Sequence, residues 1–556
     1  MDDAKLSAIL QSSKVISEAN LAQAVNFARE RKISLYDALL DQDLISDQAL
    51  GMLIADGLKV SYVNLQKVTI DGAVLNLIPQ IVAKSHYLIA FAKERQGLKL
   101  AMFDPTNLEQ IEFIKKKVGV DVIVSFATKR DIENTIRLYN KDLKKSFEEI
   151  IASSIKEAHE NLNKEPPIAA LVNTLIEYAY QNKASDIHLE PSEKDTKVRL
   201  RIDGVLHDVV VIPKNLEEQV ISRIKVLANL RTDEHLRAQD GKMKFKTEAE
   251  DLDLRVSVVP IINGEKTVLR LLSERTRQFG LEMLGMNDRN LGLVKKNIAK
   301  PYGMVLAAGP TGCGKTTTIY AILKILNTRD KNIATIEDPV EYDIEGVNQI
   351  QVNPKTNLTF ADGLKSILRQ DPDIIFIGEI RDSETAKIAV NSAMTGHLVL
   401  STIHTNDAAT TLPRLLDMEV EPFLVASTVN VIVAQRLVRQ ICTRCVKSEE
   451  ITTDKLASKF GQTLIFDHFG NKEKIRISKG VGCLVCHYSG FVGRIGIFEV
   501  LEIAPALRKL INAVTDADTI KNEAVKLGMT TMVKDGFTKV EQGITTVEEV
   551  LRVMKS

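Results

Sequence analysis

The 556-residue chain has room for three to four domains at about 150 residues each. With 44% hydrophobic and 26% charged residues its composition is globular, which excludes a disordered or collagen-like chain. Its 73 basic residues balance its 73 acidic ones, which disfavours a protein that coats nucleic acid, although neutrality still permits a local basic groove.

The N-terminus, MDDAKLSAILQSSK, places acids where a secretory signal needs a basic segment. A weak repeat follows: LSAILQSSKVISEANL from Leu6 aligns with LYDALLDQDLISDQAL from Leu35 at an offset of 29. Each copy spaces apolar residues at helical intervals, then reads Val-Ile-Ser-Glu or Leu-Ile-Ser-Asp, a helix stop followed by a serine cap. Two short helical hairpins are expected. From about Tyr62 to Asn140, β-like runs (YLIAFAK, LKLAMF, VDVIVSF) alternate with helical ones, with a helix cap at Thr106 or Asn107. Residues 1–140 therefore form one N-terminal region, helical and then α/β. Residues 141–166 are highly charged, run into Pro166-Pro167, and read either as a helical linker or as a solvated surface helix.

A second small α/β block occupies residues 167–280, with strands expected in VRLRIDGVLHDVVVIP, DLDLRVSVVP and KTVLRLL. Over residues 281–440, MVLAAG, NIATIED, DIIFIGE and HLVLSTIH alternate with helical segments, the pattern of a parallel sheet wrapped by helices. The longest stretch free of Asp, Glu, Lys and Arg, Ile388 to Asn406, is too polar for a bilayer core. A cytosolic chain without a membrane span is expected, free to dock on a membrane protein. Residues 441–500 hold paired cysteines, and residues 501–556 a helical tail.

Gly309-Pro310-Thr311-Gly312-Cys313-Gly314-Lys315-Thr316 fits G-x-x-x-x-G-K-[ST], directly after MVLAA and before the helical run TTTIYAILKIL, whose Thr317 is counted with the loop among the nucleotide-binding residues. Glycines let backbone N–H groups close around phosphate oxygens, Lys315 reaches the β- and γ-phosphates of ATP, and the Thr316 hydroxyl suits Mg²⁺. Cys313 is a small filler there, not a nucleophile. The apolar run Ile374–Ile377 leads to Glu379, placed to orient and deprotonate an attacking water. Such a strand end is a weak motif by itself and a strong one about sixty residues after a P-loop.

Glu337, Asp338 and Glu341 follow another β-run and suit Mg²⁺ or water positioning, or else a capped, solvated turn. His404, at the end of a further strand, could sense the γ-phosphate, although a lone histidine is more often structural. Cys442, Cys445, Cys483 and Cys486 form a C-x₂-C-x₃₇-C-x₂-C pattern that suits tetrahedral Zn²⁺, with dithiol redox chemistry as the competitor. Gly480, Gly482 and Gly490 suit tight knuckles, and His487 is a spare donor.

Together these motifs resemble the secretion and type IV pilus assembly ATPases (PilB/GspE-like). The resemblance covers nearly the whole chain. It includes Ala184–Pro191, Arg201–Gly204, the P-loop, Glu337–Glu341, Leu368–Asp373 with Gly378–Asp382, and Thr395–His397 with Ser401–Asn406. It implies an α/β multidomain protein with a RecA-like P-loop core, a preceding PAS-like domain, an N-terminal docking or regulatory domain and a tetracysteine zinc module. It also implies a homo-hexamer on the cytoplasmic side of the inner membrane, against a platform protein (PilC/GspF-like) and a possible cytoplasmic docking protein.

The implied activity is ATP hydrolysis that drives type IV pilus assembly; a secretion pseudopilus or a DNA-uptake fibre is the alternative. Arg255 and Arg270 match arginines that reach the γ-phosphate, and Arg369 and Arg381 match positions serving the nucleotide. Both of the first two could instead pair with acids of their own block, Asp251 or Asp253 for instance. Gly280, Gly285 and Gly303 would let that block swing. A DNA-translocating hexamer is disfavoured by the zero net charge and the thiolate module, and no nucleic acid is expected. A non-catalytic scaffold is disfavoured by the intact Lys315, Thr316 and Glu379. A pilus-retraction motor is disfavoured because such relatives lack the N-terminal region and the metal module. Members that bind cyclic di-GMP begin their motif Arg-Leu-Gly. This chain has Lys5-Leu6-Ser7 and Ser34-Leu35-Tyr36, with Lys14 and Asp43 at later glycine positions, which speaks against that ligand.

Overall fold

The computed structural model describes residues 3–136 and 168–554, apart from positions 14, 32, 33, 43, 69, 76, 95, 96, 248, 249, 273–279, 471 and 487. The expected linker at 141–166, with Lys14, Asp43 and His487, lies outside the described residues. The chain divides into two compact units, Met1–Glu274 with the short segment Cys483–Tyr488, and Arg275–Gly482 with Ser489–Ser556.

In the first unit the N-terminal repeat folds as helices Asp3–Ser13, Glu18–Arg31, Leu35–Asp41 and Asp47–Gly57. The serine caps form as the sequence implies. Ser17 Oγ accepts from Asn20 N–H at 3.2 Å and Ser46 Oγ from Ala49 N–H at 3.3 Å, each satisfying a donor the first helical turn leaves over. Strands β1 (Ser61–Tyr62), β2 (Leu88–Glu94), β3 (Gly97–Met102) and β4 (Val122–Phe126) follow, in the order β1-β4-β3-β2. Asn107, not Thr106, caps the helix Leu108–Val118 by accepting from Gln110 N–H at 3.1 Å.

The block after the linker is a six-stranded antiparallel sheet of β5 (Ala184–Pro191), β6 (Asp195–Ile202), β7 (Val205–Pro213), β8 (Gln239–Lys246), β9 (Asp251–Ile261) and β10 (Gly264–Leu272). Its order is β7-β6-β5-β10-β9-β8. Strict alternation on β9 buries Leu252, Leu254, Val256 and Val258 on the face that packs with the helices Ile168–Gln181 and Lys214–Leu227. The opposite parity carries charge: Arg201, Asp186, Arg270, Arg255 and Lys242 stand side by side on five successive strands.

The second unit is built on β11 (Gly303–Ala308), β12 (Ile333–Glu337), β13 (Val347–Gln351), β14 (Ile374–Ile377), β15 (Leu398–Ile403) and β16 (Val429–Ile441). After β16 come a hairpin of β17 (Val446–Thr452) and β18 (Lys474–Gly480), then β19 (Phe491–Glu502). The main sheet has the order β13-β12-β14-β15-β11-β16-β19, all parallel except the β16–β19 pair. β11, β12, β14 and β15 are buried along their whole length, as central strands covered on both faces must be. The stretch expected as a module over 441–500 is thus an insertion between two core strands, and its last residues return to the sheet as β19. Four helices, Pro505–Asn512, Ala517–Lys526, Met532–Glu541 and Val547–Met554, complete the unit. No helix among the described residues is long and apolar enough to cross a membrane.

Candidate active site

Four adjacent parallel strands deliver the expected chemistry to one edge of the sheet. The P-loop leaves β11, Glu337 ends β12, Glu379 follows β14 and His404 follows β15. In-register pairing of Ala308 with Ile403, Ser401 with Ile377, and Ile377 with Ile336 aligns these carboxyl ends, where open α/β sheets bind ligands.

The loop's glycines are required by its path. Gly309 has φ of 148°, and a Cβ there would lie 2.4 Å from Cys313 Sγ and 2.8 Å from the Gln435 carbonyl oxygen. Gly314 turns the chain at φ of 92° into the helix Lys315–Leu326, whose N-terminus faces the loop. Lys315 Nζ donates to the carbonyls of Gly309 at 2.7 Å and Pro310 at 3.0 Å. Burial pushes its pKa down, opposed by the charges of Cys313 and Glu379. Cys313 is buried and its thiol is pushed up by that burial, consistent with the filler role. Thr316 is half-buried at the start of the helix and Thr317 is exposed.

Glu379, 12% exposed, is bracketed by two of the predicted residues: Arg381 forms an ion pair with one oxygen, and His404 Nε2 lies 3.0 Å from the other. The structure thus joins Glu379, Arg381 and His404 into one cluster. Glu337 has a different setting. It is 2% exposed; Thr335 Oγ1 at 2.6 Å and Gln349 Nε2 at 3.1 Å donate to one oxygen, and the Tyr320 hydroxyl donates to the other. Burial raises its pKa, and these donors partly counter the rise. Glu337 therefore ties the P-loop helix, through Tyr320, to β12 and β13, whereas Asp338 is exposed in the turn that follows.

Arg369 is exposed at the end of the helix Phe360–Ile367 and donates to Ser366 Oγ at 3.1 Å. Arg255 and Arg270 are paired neighbours on β9 and β10. Arg270 Nε donates to Asp186 at 3.0 Å, so it pairs with an acid of its own block, although with Asp186 and not Asp251 or Asp253. Sequence reading missed Gln435 and Arg436 on β16. Gln435 Nε2 donates to the Cys313 carbonyl at 2.8 Å and its Oε1 accepts from Thr318 at 2.7 Å, bracing the P-loop from behind. The available signal was a Gln-Arg pair inside the apolar run VNVIVAQRLV.

The four paired cysteines converge, their sulfurs all within 4.8 Å of one another. Tetrahedral Zn²⁺ with Zn–S of about 2.3 Å needs sulfurs about 3.8 Å apart, and Cys483 and Cys486 Sγ lie 3.7 Å apart. Two backbone N–H groups point at sulfur, Gly482 to Cys445 at 3.3 Å and Cys483 to Cys486 at 3.1 Å, which suits thiolates. A Cβ on Gly480 would fall 2.0 Å from the Gly490 carbonyl oxygen, so the knuckle admits only glycine. The donor set fits a closed structural zinc site.

A phosphate-binding loop after β11 and a carboxylate just past β14, two strands away, are the two halves of nucleoside triphosphate hydrolysis, and the chain is a P-loop ATPase. It belongs to the Type II/IV secretion system protein family, whose pattern matches residues 161–552; residues 58–145 match the MshEN domain. It is 38% identical to the type IV pilus assembly ATPase PilB of Myxococcus xanthus, over 98% of each chain. It is 44% identical to the type II secretion system protein E of Pectobacterium carotovorum, over 70% of this chain and 76% of that one. The crystal structure of the Legionella pneumophila ATPase DotB superposes with a TM-score of 0.51 over 69% of this chain and 95% of that one at 20% identity, a likeness of fold.

Proposed function

We propose that the chain is a hexameric motor at the cytoplasmic face of the inner membrane, hydrolysing ATP to drive assembly of a type IV pilus. One observation carries the choice of pilus over secretion. The likeness to the pilus assembly ATPase runs over 98% of both chains, N-terminal region included, whereas that to type II secretion proteins E spans 70% to 83% of this chain. In this reading the loop N–H groups and Lys315 hold the phosphates, and Thr316 holds Mg²⁺, which neutralises phosphate charge when bound. Glu379, oriented by Arg381 and His404, takes the proton of the attacking water. Arg255 and Arg270 of a neighbouring subunit complete the site at the γ-phosphate. Cys442, Cys445, Cys483 and Cys486 hold one structural Zn²⁺, whose four thiolates leave no position for water.

Replacing Glu379 by Gln tests the motor. The purified chain should bind ATP normally and lose turnover by about 10²- to 10⁴-fold, and cells carrying only this variant should lack surface pili while type II secretion continues. Normal piliation with Glu379→Gln overturns the reading. Lost secretion with intact pili moves the chain to the secretion branch.

A further inference from the structure

The loop after His404 is held at three consecutive residues by three side chains from three other elements. Arg436 of β16 donates through Nη2 to the Asn406 carbonyl at 3.0 Å. Lys521, on the helix Ala517–Lys526, reaches Asp407 Oδ2 at 3.0 Å. Glu499 of β19 accepts from Ala408 N–H at 3.1 Å, and its other oxygen accepts from Met532 N–H at 3.3 Å, at the head of the helix Met532–Glu541. Arg436 and Glu499 are 5% and 1% exposed, so both anchors work in a dry setting where hydrogen bonds are strong and rigid. Asp407 passes the restraint inward by accepting from Thr410 N–H at 2.8 Å, and Thr405 and Thr411 pair their hydroxyls at 2.8 Å.

We infer that Lys521 and Glu499, with Arg436, are positioning residues for hydrolysis: they fix the 405–411 loop so that His404 keeps Glu379 aimed at the attacking water. Asn406 is only two residues from His404, so the register of this loop sets where the imidazole stands. The contact it must hold is short, His404 Nε2 to Glu379 at 3.0 Å. Misplacing a catalytic group by about 1 Å can cost on the order of 10²-fold in rate. The same anchors make the C-terminal helices part of the catalytic apparatus: a shift of Ala517–Lys526 or of the Met532 end pulls directly on the loop. This inference rests on the assignment of Glu379 and His404 to hydrolysis.

Steady-state ATPase kinetics of the full-length, assembled chain test it. Lys521→Met should lower kcat about tenfold, one anchor of three being lost, with KM for ATP and affinity for a non-hydrolysable ATP analogue unchanged. Lys521→Arg should restore most of kcat, because a guanidinium still reaches Asp407. In a His404→Ala background, Lys521→Met should cost nothing more, since the group it positions is gone. Lys521 is partly exposed, so folding is not at issue, and the thermal midpoint of each variant checks this. Unchanged kcat in Lys521→Met overturns the inference, as does a full loss of kcat that persists in the His404→Ala background. Wild-type turnover in Glu379→Gln overturns the underlying assignment, whereas an inactive Glu379→Gln beside an unaffected Lys521→Met overturns this inference alone.

Discussion

Glu549, in the last helix, should prove a strong clamp on the strand that backs the P-loop. Its Oε1 accepts from Arg439 Nη2 at 2.6 Å and Arg552 Nε at 2.9 Å, and its Oε2 from Arg552 Nη2 at 2.8 Å and the Arg439 N–H at 3.1 Å. Arg439 lies on β16 three residues beyond Arg436 and stacks over Phe491 at 4.3 Å. Burial would raise the Glu549 pKa, but the bonds from Arg439 and Arg552 overcome it and hold the group down from 4.5 to about 2. That depression corresponds to roughly 3 kcal/mol. Arg552 is half exposed, and solvent screening trims the figure to about 2 kcal/mol.

Because the folded pKa is depressed, this stability is fully present above about pH 4.5 and is lost as the pH falls towards about 2. Glu549→Gln should therefore lower the melting temperature by about 4–8 °C at pH 7, at about 2–4 °C per kcal/mol for a unit of this size. The gap from wild type should shrink steadily between pH 4.5 and pH 2. Scanning calorimetry or thermal circular dichroism reads both. A gap below about 1 °C at pH 7, or one that does not narrow on acidification, refutes the clamp.

Lys315→Ala should fail earlier than Glu379→Gln: equilibrium binding of a fluorescent ATP analogue should weaken at least about tenfold, since the phosphates lose their main cation. Purified protein should contain one zinc per chain by elemental analysis. Cys442→Ser should lose the metal and lower the melting temperature, and a metal-free protein of unchanged stability would count against the site. Arg255→Ala/Arg270→Ala subunits and Lys315→Ala subunits should each be inactive but recover ATPase when mixed, one chain supplying arginines and another the P-loop. No recovery, with assembly confirmed, places all three groups within one chain.

The phosphate loop was legible because it is made of consecutive residues: glycine spacing, a lysine and a threonine specify it wherever a strand and a helix flank them. Helix caps at Ser17 and Ser46 and the Cys-x-x-Cys pairs are local for the same reason, as is the run of four apolar residues before Glu379. Alternation revealed four strands of the block after the linker. It does not reveal β5, which stands out only as the motif Ala184–Pro191, or β8, whose residues are mostly exposed or half-exposed.

What only the tertiary structure decided are pairings between residues far apart in the chain. β19 returns to the core sheet after the cysteine insertion and sets Glu499 beside Ala408, 91 positions earlier. Gln435 meets Cys313 across 122 positions, and Asp186 rather than a nearer acid takes Arg270. Glu337, read from sequence as a group at a strand end, proved to be held by Tyr320, Thr335 and Gln349 inside the fold. Local spacing encodes which backbone conformation a segment adopts and which groups it presents. Partners are set by strand order and register, and these follow from how whole apolar faces are buried together, a property no short window of sequence contains.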